Sequence, residues 1–406
     1  MIGGAHGSLV SPQPIALSTG NTGAVVVGGD YQGLGIVRSL GRQGVPVCVI
    51  DDEHSIARFS RYTTHFVGAE SLFDQRHCVE AVLKTGRRLD LRGWVLYPTR
   101  DETVAAFSHY RAPLSKFFRV PVSAWPITKW AWDKRNTYRL ANELGIPTPL
   151  TWYPRDVAEL DQILADPPFA VKPAIKERFI YATKAKAWRA NNRAELRELF
   201  EQALALVGPG EVMIQDLIPG GGDRQFAFCA FFRQGQSVGS MVVRRTRQHP
   251  PEFGRASTFV ETIEHPLLES MSERFLREIN YYGLVELEYK HDPRDGQFKL
   301  LDVNARTWGY HTLGPRAGVD FVHMLYADQM GQPVRACRAQ PGLSWIRLLT
   351  DIPTAIGEIL RGRQNGQTWL GSVRTSNVES VFTIGDPIPG FAELALFPYL
   401  ALKRGF

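Results

Sequence analysis

The chain has 406 residues, 44% hydrophobic and 22% charged, a balance that suits a globular protein and excludes a disordered, collagenous or fibrous one. Its formal net charge is +6, yet the basic residues are mostly single, with one cluster at Arg244, Arg245 and Arg247. Without a basic block, a zinc-finger or an RNP motif, a small polyanion is a better partner than nucleic acid.

At about 100–200 residues per domain, several structural units are expected. Residues 1–22, rich in Gly, Ser and Pro, read as a flexible lead-in; they lack the basic stretch and apolar core of a signal peptide. Residues 24–28 (AVVVG) read as a buried parallel strand. A glycine turn to Gly35 opens a helix ending near Gly41 or Gly44. Residues 45–51 are a second strand, completing a βαβ unit. The glycines do not fit G-x-G-x-x-G, so a nicotinamide is not expected despite Asp51 at the second strand's end. Residues 94–97 give another strand, and 98–102 open a helix with Thr99 as its N-cap.

A helix over 133–144 is stopped by Gly145 and Pro147. Residues 169–173 (FAVKP) are a strand. Asn192 and Glu195 resemble a capping box for a helix whose stripe is Leu196, Leu199, Phe200, Ala203 and Leu206. Residues 212–218 (VMIQDLI) form a strand that runs into Pro219 and three glycines. Residues 225–232 and 237–243 make a hairpin, 269–282 an amphipathic helix, and 284–290 with 298–306 a last hairpin. Beyond Pro341 a helix near 352–360 is legible and the remainder reads as irregular. No apolar run approaches the ~18–20 residues that span a bilayer, so no membrane insertion is expected. Four scattered cysteines without a CxxC suit a reducing, cytoplasmic setting.

The last hairpin carries the chemistry. Strand side chains alternate, so Glu286, Glu288 and Lys290 share one face, and Asp302 shares a face with Asn304. Symmetric closure about Arg294 puts Glu286 opposite Asp302, a like-charge pair that would destabilise a bare sheet. Two carboxylates and an amide oxygen suit Mg²⁺, and Arg306 on the same face suits a phosphate; a solvated polar face is the alternative. Lys172 ends an apolar strand, where a structural lysine with a buried stem is the alternative. Lys134 follows Asp133 at a helix start. Lys184 and Lys186 share a face if that segment is extended. Together these are the parts for phosphoryl transfer. The arginines of 244–248, placed after an apolar strand, suit a carboxylate or acyl phosphate, or else mark a solvated strand end. Arg255, His311 and Arg316 are weaker candidates, a lone His being more often structural.

In order and spacing, these segments resemble the ATP-grasp superfamily, the fold of biotin carboxylase, carbamoyl-phosphate synthetase and D-alanine–D-alanine ligase. The resemblance spans about residues 25–318 and rests on Asp133-Lys134, LGIPTP at 144–149, FAVKP, VMIQDLIPG at 212–220, GLVE at 283–286 and LDVNAR at 301–306. It implies an α/β (α+β) protein: a Rossmann-like N-terminal domain (23–125), a small lid subdomain (126–216), an ATP-binding core (217–340) and a C-terminal extension (341–406). It implies that Lys134 and Lys172 contact ATP phosphates and that Gln215, Asp216, Leu217 and Ile218 hold adenine. Asp223 would hold the ribose, Glu286, Asp302 and Asn304 Mg²⁺ (or Mn²⁺ in its place), and Arg306 a phosphate. The usual glycine-rich flap is missing; 174–179 (AIKERF) stands there, so a shorter or differently closed lid is expected, with Lys186 as a third charge. Asp302 stands for the commoner Glu, one methylene shorter, which puts the bridging of two metal ions in doubt.

The expected reaction activates a small-molecule carboxylate as an acyl phosphate for attack by an amine, releasing ADP and phosphate, with Arg247 gripping the acid. A bicarbonate-activating carboxylase or carbamoyl-phosphate-type enzyme and a non-catalytic ATP-binding protein are the alternatives. Association into a homo-oligomer is left open.

Overall fold

The computed structural model describes residues 22–404, so the lead-in expected over 1–22 falls, apart from its last residue, outside the described residues. Strands β1 (Ala24–Val27), β2 (Val47–Asp51), β3 (Thr63–Gly68) and β4 (Val95–Pro98) form a parallel sheet ordered β3–β2–β1–β4. β1 is wholly buried, as its unbroken apolar run requires. Gly28 adopts φ +98, and a Cβ there would lie 2.1 Å from Thr99 Oγ1, so the turn itself demands glycine. Asp30 caps the helix Tyr31–Arg42 through the Gln32 and Gly33 amides. The Asp51 carboxylate is spent inside the domain, accepting from Gly29 N and Arg100 Nη2, each at 2.6 Å. The next helix runs Asp101–His109 with Arg100 at its N-cap. Thr99 is not the cap: its hydroxyl donates to Val27 O at 3.0 Å and ties the ends of β1 and β4 together. β3 and the helix Gln75–Arg88 were not anticipated; the strand is half exposed and the helix mostly polar.

β5 (Thr151–Trp152), β6 (Phe169–Pro173), β7 (Trp188–Ala190) and β8 (Val212–Asp216) make an antiparallel sheet ordered β5–β8–β6–β7. The helix Arg193–Val207 packs on it through Leu196, Phe200 and Ala203, and Asn192 Oδ1 accepts from Glu195 N at 2.9 Å. A helix, Lys176–Thr183, occupies the place of the missing glycine-rich flap. It ends at Lys184 with φ +58, so Lys184 and Lys186 do not alternate along a strand: Lys184 is exposed and Lys186 turns inward.

The third sheet has eight strands. β9 (Gln225–Arg233), β10 (Gln236–His249), β11 (Ala256–Ile263), β12 (Gly283–His291), β13 (Phe298–Asn304), β15 (Ser344–Ile346) and β16 (Val378–Glu379) are ordered β13–β12–β9–β10–β11–β15–β16, and β14 (Cys337–Arg338) pairs with β10. Period-2 alternation divides β9: Phe228, Ala230 and Phe232 join the cluster under the helix Pro266–Glu278, and Ala227, Cys229 and Phe231 face the N-terminal sheet with Trp308 and Trp345. β10 is 14 residues long. Arg244, Arg245 and Arg247 therefore lie within a strand, where the sequence placed them after one.

The C-terminal stretch is not irregular. Its helices Leu348–Leu360, Gly366–Thr375, Ile388–Ala395 and Phe397–Arg404 accompany β15 and β16, which widen the sheet. It is fastened to the first domain by Asp386, whose carboxylate accepts from Arg38 Nε at 2.9 Å, Ser60 Oγ at 2.7 Å and Arg61 N at 3.0 Å. Among the described residues no helix is long and apolar enough to cross a membrane, and the four cysteines are free.

Removing one member of a buried ion pair strands its partner in a medium that solvates it poorly, at about 3–5 kcal/mol. Asp386→Ala should lower the thermal melting midpoint accordingly. A midpoint equal to wild type would mean that this ion pair does not fasten the extension.

Candidate active site

The site is built on the face of the β12–β13 hairpin that looks toward the N-terminal domain. Glu286 pairs across the strands with Asn304, and Glu288 with Asp302. The expected opposition of Glu286 and Asp302 is thus corrected by two residues. One comes from the turn, which pairs Lys290 with Lys299 and not with Phe298, and the other from a bulge after Glu288 that leaves Leu301 outside the ladder, so Leu300 and Val303 both enter the core while Asp302 and Asn304 share the other face. Tyr138 donates its hydroxyl to the freed Leu301 carbonyl at 2.9 Å.

Cations converge on this acidic face from two helices, from β10 and from the segment after β13. Lys134, opening the helix Lys134–Glu143, reaches Asp302 Oδ1 at 2.6 Å. Lys176, from the helix in the flap position, lies 2.9 Å from Asp101 Oδ2, 3.0 Å from Asn304 Oδ1 and 3.6 Å from Asp302 Oδ2. Arg245 pairs with Glu288. Arg306 grips Asp101 through Nε and Nη2 at 2.9 and 3.0 Å. Tyr310 donates to Glu286, and Asn304 Nδ2 bridges Glu286 and Glu288 at 2.9 and 3.1 Å. Burial would raise the Asp302 carboxyl, but Lys134, Lys176 and Lys186 hold it far below its ordinary value. Burial, and then Glu288, pushes Glu286 up. Burial acts the same way on Glu288, where Arg245 and Lys186 outweigh it and leave the carboxyl below its ordinary value.

Two lysines of the site, Lys172 and Lys186, make no ion pair among the described residues. Lys172, on β6, donates only to Tyr138 Oη, at 3.1 Å, and burial lowers its ammonium to about 8 against the pull of Asp302 and Glu288. Lys186 is likewise lowered by burial. Both line a small cavity of about 110 Å³ that shares wall residues with two larger spaces. On one side is a cleft of about 860 Å³ between the second and third sheets, walled by Lys172, Gln215, Asp216, Leu217, Ile218 and Lys290. On the other is a cavity of about 220 Å³ that holds Glu286, Glu288, Asn304, Arg245 and Arg306. Around the two smaller cavities, seven Lys and Arg side chains face four carboxylates. That excess of positive charge suits an anionic ligand.

The structure therefore gathers Lys134, Lys172, Lys186, Glu286, Asp302, Asn304 and Arg306, with Gln215 to Ile218 along the adjoining cleft. It does not gather two others. Asp223 is exposed on a short turn, Gly222–Arg224, and does not line the cleft. Arg247 is turned away: its guanidinium is bidentate to Asp351 at 2.8 and 2.9 Å, donates to Ser372 and stacks on Phe259. A register shift between Arg245 and Arg247 reverses the face, so Arg245 is the arginine of the cluster that looks into the site. Asp101, Lys176, Arg245 and Glu288 complete the constellation. Glu288 was visible in the alternation but was not assigned a ligand role, and the other three depend on long-range packing.

No family model matches the chain. A sequence relative, the D-aspartate ligase of Enterococcus faecium (strain Aus0004), is 22% identical over 300 residues, 70% of each protein. L-amino acid ligase from Bacillus licheniformis superposes with a TM-score of 0.59 at 16% identity, over 76% of this chain and 74% of that one. The biotin carboxylase domain of the Hydrogenobacter thermophilus 2-oxoglutarate carboxylase, solved with MgADP, ADP and bicarbonate, gives 0.62 at 16% identity, over 79% and 73%. The fold is ATP-grasp.

In this ATP-grasp chain no three Asp, Glu, His or Cys side chains converge closely enough to cage a metal among the described residues. Mg²⁺ asks for less, one or two carboxylates with phosphate oxygens completing its shell. Glu288 beside Asp302, with Glu286 and the Asn304 amide oxygen adjoining, fits that requirement in donor chemistry.

The paired state of Asp302 reverses a stability expectation. A Glu286–Asp302 repulsion would make Asp302→Ala neutral or stabilising without ligand. With Lys134 and Lys176 beside it, the substitution should instead lower the melting midpoint in EDTA, at a cost of about 3 kcal/mol. A midpoint at or above wild type would contradict the pairing. For Lys172, whose ordinary 10.5 falls to about 8 on folding, the unfolded chain holds the extra proton between those values. Stability should therefore rise with pH across that window and Lys172→Met should flatten the rise, as read from denaturant unfolding at several pH values.

Proposed function

We propose that the protein is an ATP- and Mg²⁺-dependent ligase that joins a carboxylate to an amine, and the observation that carries this reading is the pair of unneutralised lysines between the large cleft and the acidic hairpin. A nucleotide base and ribose fit the 860 Å³ cleft along Gln215–Ile218. The phosphates then lie in the 110 Å³ neck, where Lys172 and Lys186 lack ion-pair partners and Lys134 is at hand. Bound Mg²⁺ would neutralise charge developing on the transferred phosphoryl group. The chain's own part is placement and compensation. Lys172 regains a full charge beside phosphate, Lys134 and Lys176 can turn from Asp302 to phosphate oxygens, and Arg306 and Arg245 flank the 220 Å³ cavity into which the terminal phosphoryl group points. The acceptor of that group is a carboxylate, giving an acyl phosphate, and the relative that ligates D-aspartate makes amino acids the first acids to try.

An ADP-release screen of D-aspartate, L-amino acids and bicarbonate, each with and without primary amines, tests this reading. We expect turnover that needs an amino acid, an amine and Mg²⁺ together. Release driven by bicarbonate alone would move the enzyme to the carboxylase branch, and no release with any acid would leave a binding protein. A second expectation concerns pH. Lys172 is fully charged when it meets phosphate but deprotonates above about 8 in the free protein. ATP affinity should therefore fall as pH rises from about 8 to 10, and Lys172→Arg, charged throughout, should remove that fall in calorimetric titrations.

A further inference from the structure

A third cavity, of about 300 Å³, adjoins the 220 Å³ one across Asp101, Lys176 and Arg306, which line both. Its wall includes Glu177, the second residue of the helix that stands in place of the missing flap. Glu177 is 8% exposed, forms no ion pair among the described residues, and no donor reaches its Oε2. The other carboxylates of this wall are answered. Asp101 holds Arg306 and Lys176, Glu53 lies 4.0 Å from Arg100, Glu102 accepts from Tyr181 at 2.6 Å, and Asp30 caps its helix. The Glu177 backbone N–H donates to this carboxylate, and the Oε2 left without a donor costs free energy unless a ligand supplies one.

We propose that this cavity is the acceptor-amine subsite and that Glu177 receives the ammonium group and takes its proton. This rests on the ligase reading above and names the residue that would serve its second half-reaction. The acyl phosphate forms in the cavity on one side of Lys176 and Arg306, and the amine waits on the other. The ammonium gives one proton to the Glu177 carboxylate. The freed nitrogen lone pair attacks the acyl carbon, the C–N bond forms and the C–O bond to phosphate breaks with its electron pair. The second nitrogen proton leaves with the phosphate as hydrogen phosphate, and Glu177 returns its own proton to water. Burial, then Asp101, raises the Glu177 carboxyl to about 7, with Lys176 opposing, which suits a group that accepts and releases a proton near neutrality.

Two nucleophiles separate this role from acid activation. Hydroxylamine is uncharged near neutral pH and needs no base, so it traps the acyl phosphate as a hydroxamate; ethylamine is cationic and needs both a counter-charge and a proton acceptor. With D-aspartate and the L-amino acids as acids, Glu177→Gln should keep hydroxamate formation within about twofold of wild type and lower amide formation with ethylamine by about 100-fold or more. Unchanged amide formation, or equal loss of both products, would overturn the assignment; equal loss with a lowered melting midpoint would make Glu177 a structural residue. No hydroxamate from the wild type with any acid would instead remove the ligase reading, and the subsite with it.

Discussion

The organising constraint of this molecule is a set of positive charges held away from water without enough negative charge to answer them. Lys172 and Lys186 bear the cost of that imbalance, since burial lowers both and no carboxylate lies in ion-pair contact with either among the described residues. Around them, Lys134, Lys176, Arg245 and Arg306 are each paired with an acid of the hairpin or of the first domain. Charges so arranged are expensive in the free protein and favourable around a polyphosphate. The surrounding structure can be understood as what keeps them there.

Three sheets share that task. The second supplies Lys172 from β6 and, through the helix Lys176–Thr183, both Lys176 and Glu177. The third supplies the acids and Arg245 on one face, while its other face is fixed by Phe228, Phe232, Leu287 and Tyr289 in the core. The first supplies Asp101 at the start of a helix whose N-cap residue, Arg100, is itself locked to Asp51 and Asp52. Asp101 thus ties the first sheet's side of the molecule to Arg306 and Lys176, beside the apolar cluster that the first and third sheets share. Asp386 adds a separate tie between the first domain and the C-terminal extension.

Much of this was legible in the sequence because it depends on local patterns. The apolar run of β1, the FAVKP strand, the Asn192 cap and the alternation of the last hairpin each encode their own structure, and the lysines and acids they carry reach the same cavities. What was misplaced depends on events with little sequence signature. A turn that closes one residue later than expected and one bulged residue, Leu301, together moved Asp302 from opposite Glu286 to opposite Glu288. A register shift within β10 exchanged Arg247 for Arg245, and the Asp351 that claims Arg247 lies some hundred positions along the chain. The segment 174–179 showed that the glycine flap was missing; it did not show that a helix would replace it and bring Lys176 to the hairpin and Glu177 to the cavity behind it.

The most direct test of the account follows an oxygen atom. If the acid is activated as an acyl phosphate, one carboxylate oxygen must leave with the phosphate. The measurement is mass spectrometry of the phosphate released from ATP and an amine, with D-aspartate or L-amino acids carrying heavy oxygen in their carboxylates. The account predicts one heavy oxygen in each phosphate formed along with ADP. Unlabelled phosphate accompanying ADP release would show that water, and not the acid, receives the phosphoryl group, and would contradict it.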